Sequence, residues 1–498
     1  GINFNLNDNS LALQLDFRED AEKIHVVFVN GELSDYRFVN EHIVIPPEEL
    51  VVGDNIVNIQ LSAGVTSLNR NPGYLYTLFV PDRARTAFPL FDQPDLKATF
   101  ELSLVLPPGW VAMSNAPVDE VMSSGLGNIY RFEKSDLISS YLFSFVAGEF
   151  EIITREVDGR LWTMLHRESD EKKVSGNIDE IFNLHAVALE WLEEYTGIDY
   201  PYQKFGFALI PSFQYGGMEH VGAVQYRASS LFLDEAPSET QVLARAGLIA
   251  HETAHMWFGN LVTMEWFNDV WTKEVFASFM ASKIVSPTFP DLNHDLNFLV
   301  RHYPNSYAVD RTEGANPIRQ ELANLNEAGQ MYGAIIYNKA PIMMRKLESM
   351  IGEELFREGI QEYLQTFAFD NATWPELINI LDQKSDEDLV DWSEAWVHAP
   401  GLDEINLQRS TNIEEKHDPL RYGYVPAETG GFNFWGTLGE LERAALLINL
   451  YERLLDGDGP RPEEYLDGLV EIVQWEENQL ILDLALEQLE EVFWRLTN

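Results

Sequence analysis

Residues 251–255 read His251-Glu252-Thr253-Ala254-His255. On a helix, residues four apart share a face, so both imidazoles can reach one metal ion. Glu252 then sits on the flank of the pair, where a carboxylate can take a proton from a water at the metal's open position without becoming a ligand. The flanking residues predict that helix: Ser238 with Gln241 three residues later forms a capping box, and Gly259-Asn260 is a C-terminal stop. Between them Val242, Leu243, Ala246, Leu248, Ile249, Ala250, Met256, Trp257 and Phe258 are apolar nearly all round. Such a helix is buried, and two histidines and a glutamate inside it need partners.

Five residues of this form could be chance, with the histidines as satisfied core residues. After His255 and eighteen intervening residues, however, comes Glu274, in a stretch where Asn268 or Asp269 can cap a second helix running to about Ile284. Two His and one Glu leave a tetrahedral zinc one position short, the pattern of a catalytic rather than a structural site. The chain has no Cys, which excludes thiolate ligands and disulfides.

At 498 residues the chain is too long for one core, and three or so domains are expected. Its 45% apolar and 12% aromatic content is that of a globular protein. No apolar run is long enough to span a membrane, and the first residues show neither a basic region nor an apolar signal core, so the expectation is a cytosolic chain or one already processed. Eighty acidic residues against 34 basic give a formal charge of −46. That argues against nucleic acid or an anionic membrane surface as partner. The acid is read as solvated surface, with adaptation to salt as one origin, and positively charged substrates suit it better than anionic ones.

The predicted organisation is α+β. Residues 1–168 form a β-rich domain: Ile24, Val26 and Phe28 alternate, Asn30-Gly31 makes a hairpin turn, Ile43-Val44-Ile45 follows, and further strands come at Thr99 to Leu106 and Tyr141 to Ile153. The charged stretch His166 to Lys173 is the expected linker, because beyond it the period changes from two to 3.6. Residues 169–403 form the catalytic domain. It opens with a helix from about Asn177 to Tyr195 that stops at Gly197, and a strand follows at Phe205 to Pro211. From Pro341 to Ala399 it is helical throughout. Residues 404–498 comprise a turn-rich link and a short helical domain with Leu446, Leu447, Leu450, Leu454 and Leu455 on one face.

Three pieces now stand in order: Gly216-Gly217-Met218-Glu219, then His251-Glu252…His255…Glu274, then Tyr337 in Tyr337-Asn338-Lys339-Ala340-Pro341. Together they resemble the aminopeptidase N and leukotriene hydrolase family of gluzincin zinc aminopeptidases. The resemblance runs from the Phe88-Pro89-Leu90-Phe91-Asp92-Gln93-Pro94 segment to the C-terminal helices. It implies a thermolysin-like catalytic domain and one Zn2+ per chain, bound by His251, His255 and Glu274. It also implies that Glu252 is the general base and that Tyr337 donates to the oxyanion. Glu219 would bind the substrate's α-ammonium, and Gly216 and Gly217 would let substrate backbone pair along a strand edge beside Met218. The implied substrates are peptides with a free N-terminus.

The chain departs from the family pattern in several places. His220 stands where relatives often have Asn, so the hydrogen bonding usually given to that Asn does not carry over. Leu78 and Val80 stand where many relatives place Gln and Glu, which predicts a less polar first pocket and leaves amine binding to Glu219 and Glu274. Around the third ligand the usual Asn-Glu-Gly is Lys273-Glu274-Val275, which leaves the ligand intact. Set against that resemblance, both ends are expected to fall short of the family's opening strands and final helical bowl. The rival functions are a same-family epoxide hydrolase, which would need a long apolar tunnel, a non-catalytic peptide-binding relative, which would be expected to lose a ligand or the base, and a salt-adapted scaffold with an incidental motif.

Overall fold

The computed structural model describes residues 1–125, 127–401, 431–457 and 459–496, so the link expected from residue 404 lies outside the described residues as far as 430. Two compact units emerge. The first holds Gly1–Lys273 with Leu322–Gly329 and Gln361–Trp374; the second holds Glu274–Glu321, Gln330–Ile360 and Pro375–Asn498.

The first unit opens as β structure. Strands Ile2–Leu6, Gly53–Leu61, Ile24–Val29 and Glu32–Leu33 make one sheet, and Leu13–Asp16, His42–Ile45 and Arg37–Val39 make another. Leu15, Phe17, Val27, Val29, Ile43, Ile45 and Val57 form their common core. The inward alternation differs from the expected one. A register shift between Ile24 and Val26 moves the pattern by one, so Val27 and Val29 are buried while Phe28 is 38% exposed. The turn that follows has positive φ at Asn30 and Gly31 (51° and 90°), which matches the twist of a two-residue hairpin. Between Tyr141 and Ile153 the chain is not one strand. A 3-10 turn at Ser140–Leu142 leads into the strand Phe145–Gly148, and Glu151–Val157 begins a new one.

The sheet that positions the site has five strands in the order Glu151–Val157, Arg160–His166, Phe205–Ile210, Val224–Arg227, Gly217–Met218. Arg160–His166 and Val224–Arg227 both run parallel to Phe205–Ile210, while the two outer pairings are antiparallel. Phe205–Ile210 is buried at every residue, as expected for a strand covered on both faces. This sheet draws strands from both sides of residue 168. Its hairpin leads into the helix Glu171–Thr196, capped by Asp170 accepting from the N–H groups of Lys172 and Lys173 and closed by Gly197 at φ 68°.

The second unit is helical. His294–Asp310 packs against Glu440–Asp456, and the last helices, Pro462–Trp475 and Gln479–Arg495, complete that cluster. Leu446, Leu447, Leu450 and Leu454 are buried within it, and the Tyr465 hydroxyl donates to Gln488 at 2.7 Å in its interior. Expected as continuous helix, residues 341–399, which divide between the two units, are broken instead into Ala340–Ile351, Glu353–Thr366, Trp374–Asp382, Leu389–Ser393 and a π-turn Glu394–His398, with a short strand at Asn371–Ala372 in the first unit. Gly352, at φ 89°, makes the first of these breaks. No helix among the described residues is long and apolar enough to cross a membrane.

Candidate active site

The motif helix spans Glu239–Ala254. Its start is the predicted capping box: the Gln241 N–H donates to Ser238 Oγ at 3.2 Å and the Ser238 N–H donates to Gln241 Oε1 at 2.9 Å. It ends five residues before Gly259. Beyond His255 the N–H groups of Asn260, Leu261 and Val262 reach back five residues rather than four, and Gly259 turns the chain at φ 114°. This wide turn fixes a ring orientation, because His255 Nδ1 meets the Phe258 carbonyl at 3.0 Å. Nδ1 therefore carries the proton, and Nε2 is the nitrogen whose lone pair faces His251 and can serve a metal ion.

His255 Nε2 and His251 Nε2 stand 3.1 Å apart. A tetrahedral ion holding two nitrogens at ~2.0–2.1 Å would keep them about 3.3 Å apart, so the pair is spaced to share one ion. Glu274 lies one residue past Lys273 on the helix Val270–Thr288, and one ligand atom each of His251, His255 and Glu274 falls within 4.8 Å of the others. Two imidazole nitrogens and a carboxylate oxygen are a donor set suited to zinc.

A second convergence shares His255. Ligand atoms of Glu219, Glu252 and His255 also lie within 4.8 Å of one another, and all three side chains are at most 4% exposed. Glu252 reaches this place because Gly217 has no side chain: a Cβ there would stand 2.3 Å from Glu252 Oε1. Gly217–Met218 is the edge strand of the five-stranded sheet, and the Gly216 carbonyl accepts from the Arg227 N–H at 2.8 Å. Glu219 follows directly, its carbonyl held by the Asn260 amide at 2.8 Å.

One participant was missed in the sequence. Lys273 Nζ lies 2.5 Å from Glu219 Oε1, with the two side chains 3% and 4% exposed. Its only sequence signal is the unusual residue before Glu274. His220 is fully buried with neither ring nitrogen hydrogen-bonded among the described residues. Burial pushes its imidazole down to about 3, so it is neutral near pH 7. Leu78 and Val80 are buried at 1% and 5% exposure and bring no polar group with them.

Tyr337 belongs to the second unit, on a π-turn Ile335–Lys339, and is 38% exposed rather than a core tyrosine. Its segment is anchored two residues on, where Lys339 pairs with Asp310 at 2.7 Å with both side chains at most 1% exposed. π-turns of this kind often mark functional positions.

The peptidase family M1 domain matches residues 181–396, and the peptidase M1 N-terminal domain matches residues 63–142. Aminopeptidase N of Streptomyces lividans is 31% identical over 79% of this chain and 47% of its own length. A probable aminopeptidase 1 of Sulfurisphaera tokodaii is 30% identical over 80% of this chain and 50% of its own. Leucyl aminopeptidase of Saccharolobus solfataricus is 32% identical over 70% and 44%. The chain thus spans about half the length of the curated relatives it matches. With the motif helix inside the matched catalytic domain and the β structure before it matched in turn, the chain belongs to peptidase family M1.

Proposed function

We propose that the chain is a zinc-dependent aminopeptidase that hydrolyses the first peptide bond of peptides bearing a free N-terminus. The observation that carries this is the convergence of His251, His255 and Glu274 within 4.8 Å, with the buried Glu252 carboxylate beside it. His251, His255 and Glu274 would hold the ion. Zinc, when bound, supplies a Lewis acid that lowers the pKa of water toward ~7 and polarises a carbonyl. Glu252 takes the proton of the attacking water and returns it to the leaving amine, a task that suits a carboxylate close to the ligands but not among them. Tyr337 donates its phenolic O–H to the oxygen on which negative charge develops. Glu219 takes the substrate's α-ammonium, which selects exopeptidase over endopeptidase cleavage. The Gly216–Met218 edge offers backbone groups to an extended peptide.

Opening an epoxide could use the same ion and acid, but the relatives reported above carry aminopeptidase names, which favours peptides. A purely peptide-binding role is disfavoured because neither a ligand nor the base is missing from the sequence.

The test is a panel of aminoacyl-arylamides, free and N-acetylated, assayed with zinc, after chelation, and with zinc restored. Purified protein should hold about one tightly bound zinc per chain, and chelation should abolish cleavage reversibly. Activity that survives complete metal removal, or equal cleavage of free and blocked substrates, would overturn the proposal.

A further inference from the structure

The residue that precedes Glu274 is built into the amine site by contacts with Glu219, Tyr141 and Gly259. Lys273 Nζ sits 2.5 Å from Glu219 Oε1 in a place where neither side chain exceeds 4% exposure. The same ammonium lies 5.3 Å from the centre of the Tyr141 ring, and the Tyr141 hydroxyl donates to the Gly259 carbonyl at 3.1 Å. The lysine stem runs past Gly259, where an added Cβ would stand 2.9 Å from Lys273 Cβ; with φ at 114°, that position suits glycine alone. Glu219 in turn is fixed through its carbonyl by Asn260. Neither partner can swing away without disturbing packed neighbours.

Charge explains why a cation belongs here. Carboxylate oxygens of Glu219 and Glu252 lie within 4.8 Å of each other and both groups are buried, so their repulsion is poorly screened. Lys273 supplies the opposing charge from within the chain. An arriving α-ammonium therefore meets a carboxylate that already holds one ammonium, and has to share it at close range with a like charge.

We propose that Lys273 is a specificity-determining residue: by occupying Glu219 it weakens recognition of the free amine, so that selection among peptides falls more heavily on the first side chain and on the backbone. This rests on the assignment of Glu219 as the amine anchor, and the test separates the two.

Four proteins, each checked for zinc content, are compared: the native chain, Lys273→Met, which keeps the stem and removes the charge, Lys273→Arg, which keeps the charge, and Glu219→Gln. The probes are an aliphatic amino-acid amide and its N-acetyl form as competitive ligands, with kcat and KM on one aminoacyl-arylamide. Lys273→Met should tighten binding of the free-amine amide at least about fivefold and lower KM correspondingly, with little change in kcat or in the N-acetyl ligand. Lys273→Arg should keep the native ratio. An unchanged or lower free-to-blocked ratio in Lys273→Met overturns the proposal. So does a loss shared equally by kcat and both ligands, which marks a merely structural counter-ion. If the Met variant does not fold, Lys273→Gln, which keeps a donor without the charge, carries the same expectation. A native preference for the free amine that survives Glu219→Gln defeats the anchor assignment itself. A preference abolished by Glu219→Gln but not raised by Lys273→Met defeats only the role of the lysine.

Discussion

A phenol that donates to a developing oxyanion and a phenol that merely packs respond differently to the loss of one oxygen atom, and Tyr337→Phe separates the two. At 38% exposure the tyrosine contributes little to a core, so its hydroxyl is worth no more than the ~0.5–1.5 kcal/mol of an ordinary hydrogen bond to stability. Removing a preorganised oxyanion donor instead costs ~10²–10³ in kcat. The Phe variant should melt within a degree or two of the native chain, keep its zinc, and lose at least tenfold in kcat by about the same reasoning. Retention of more than about a tenth of native kcat would remove Tyr337 from the mechanism and leave Glu252 untouched. At this scale the sequence was legible where spacing alone places side chains, as with His251 and His255 on one helical turn. It was not legible for Lys273, whose partner Glu219 lies 54 residues away and is brought to it by tertiary structure alone. Nor did the glycine at 217 declare its neighbour: the carboxylate that needs the empty space is Glu252, on another element.

Among the elements, the helix Glu171–Thr196 carries a buried switch in His185, which is fully buried, with Nδ1 2.8 Å from the Ile181 carbonyl and Nε2 3.0 Å from the Tyr226 hydroxyl. In this arrangement Nδ1 donates and Nε2 accepts, so the ring is held neutral, and burial pushes its pKa down to about 4. In the unfolded chain it titrates near ~6.5, so between about pH 6.5 and 4 the unfolded state binds the proton and the folded state does not. Stability contributed by His185 is therefore fully present above ~6.5 and is lost as pH falls toward the folded value, by about 2 kcal/mol at pH 5. Urea midpoints measured at pH 7 and pH 5 should fall with acid, and His185→Gln should flatten that slope even if it lowers both midpoints. An unchanged slope would show that the ring is not held neutral. Helices with marked ends were read well: Ser238 and Gly197 act as their residue types dictate. Two features escaped. The motif helix stops at Ala254 because i−5 bonds replace i−4 bonds, which no residue announces, and the bulge after Ile24 reverses which side chains of its strand face inward.

Over the whole molecule the governing quantity is charge. If every one of the 34 basic residues neutralised one carboxylate, the formal excess would still be 46 negative charges. Ion pairs such as Arg131 with Glu120, about half exposed on both sides, contribute ~0–1 kcal/mol each and weaken in salt. The excess acid has no such partners to lose, so adding salt screens mainly repulsion, over ~8–10 Å near physiological ionic strength and over longer distances below it. The two effects oppose each other, and the numbers decide between them: repulsion among 46 unmatched charges outweighs a limited set of weak surface pairs. Urea midpoints compared in dilute buffer and in molar sodium chloride should therefore rise with salt, most steeply at the lowest ionic strengths where screening changes fastest. The rise should shrink at mildly acidic pH as carboxylates begin to protonate, even though His185 lowers the midpoint there, because the salt increment and the absolute stability report different groups. A midpoint that is flat or falls with salt would show that the surface acids are far enough apart, or well enough solvated, to leave the folded state unstrained, and the excess acid would then bear on solubility rather than on folding.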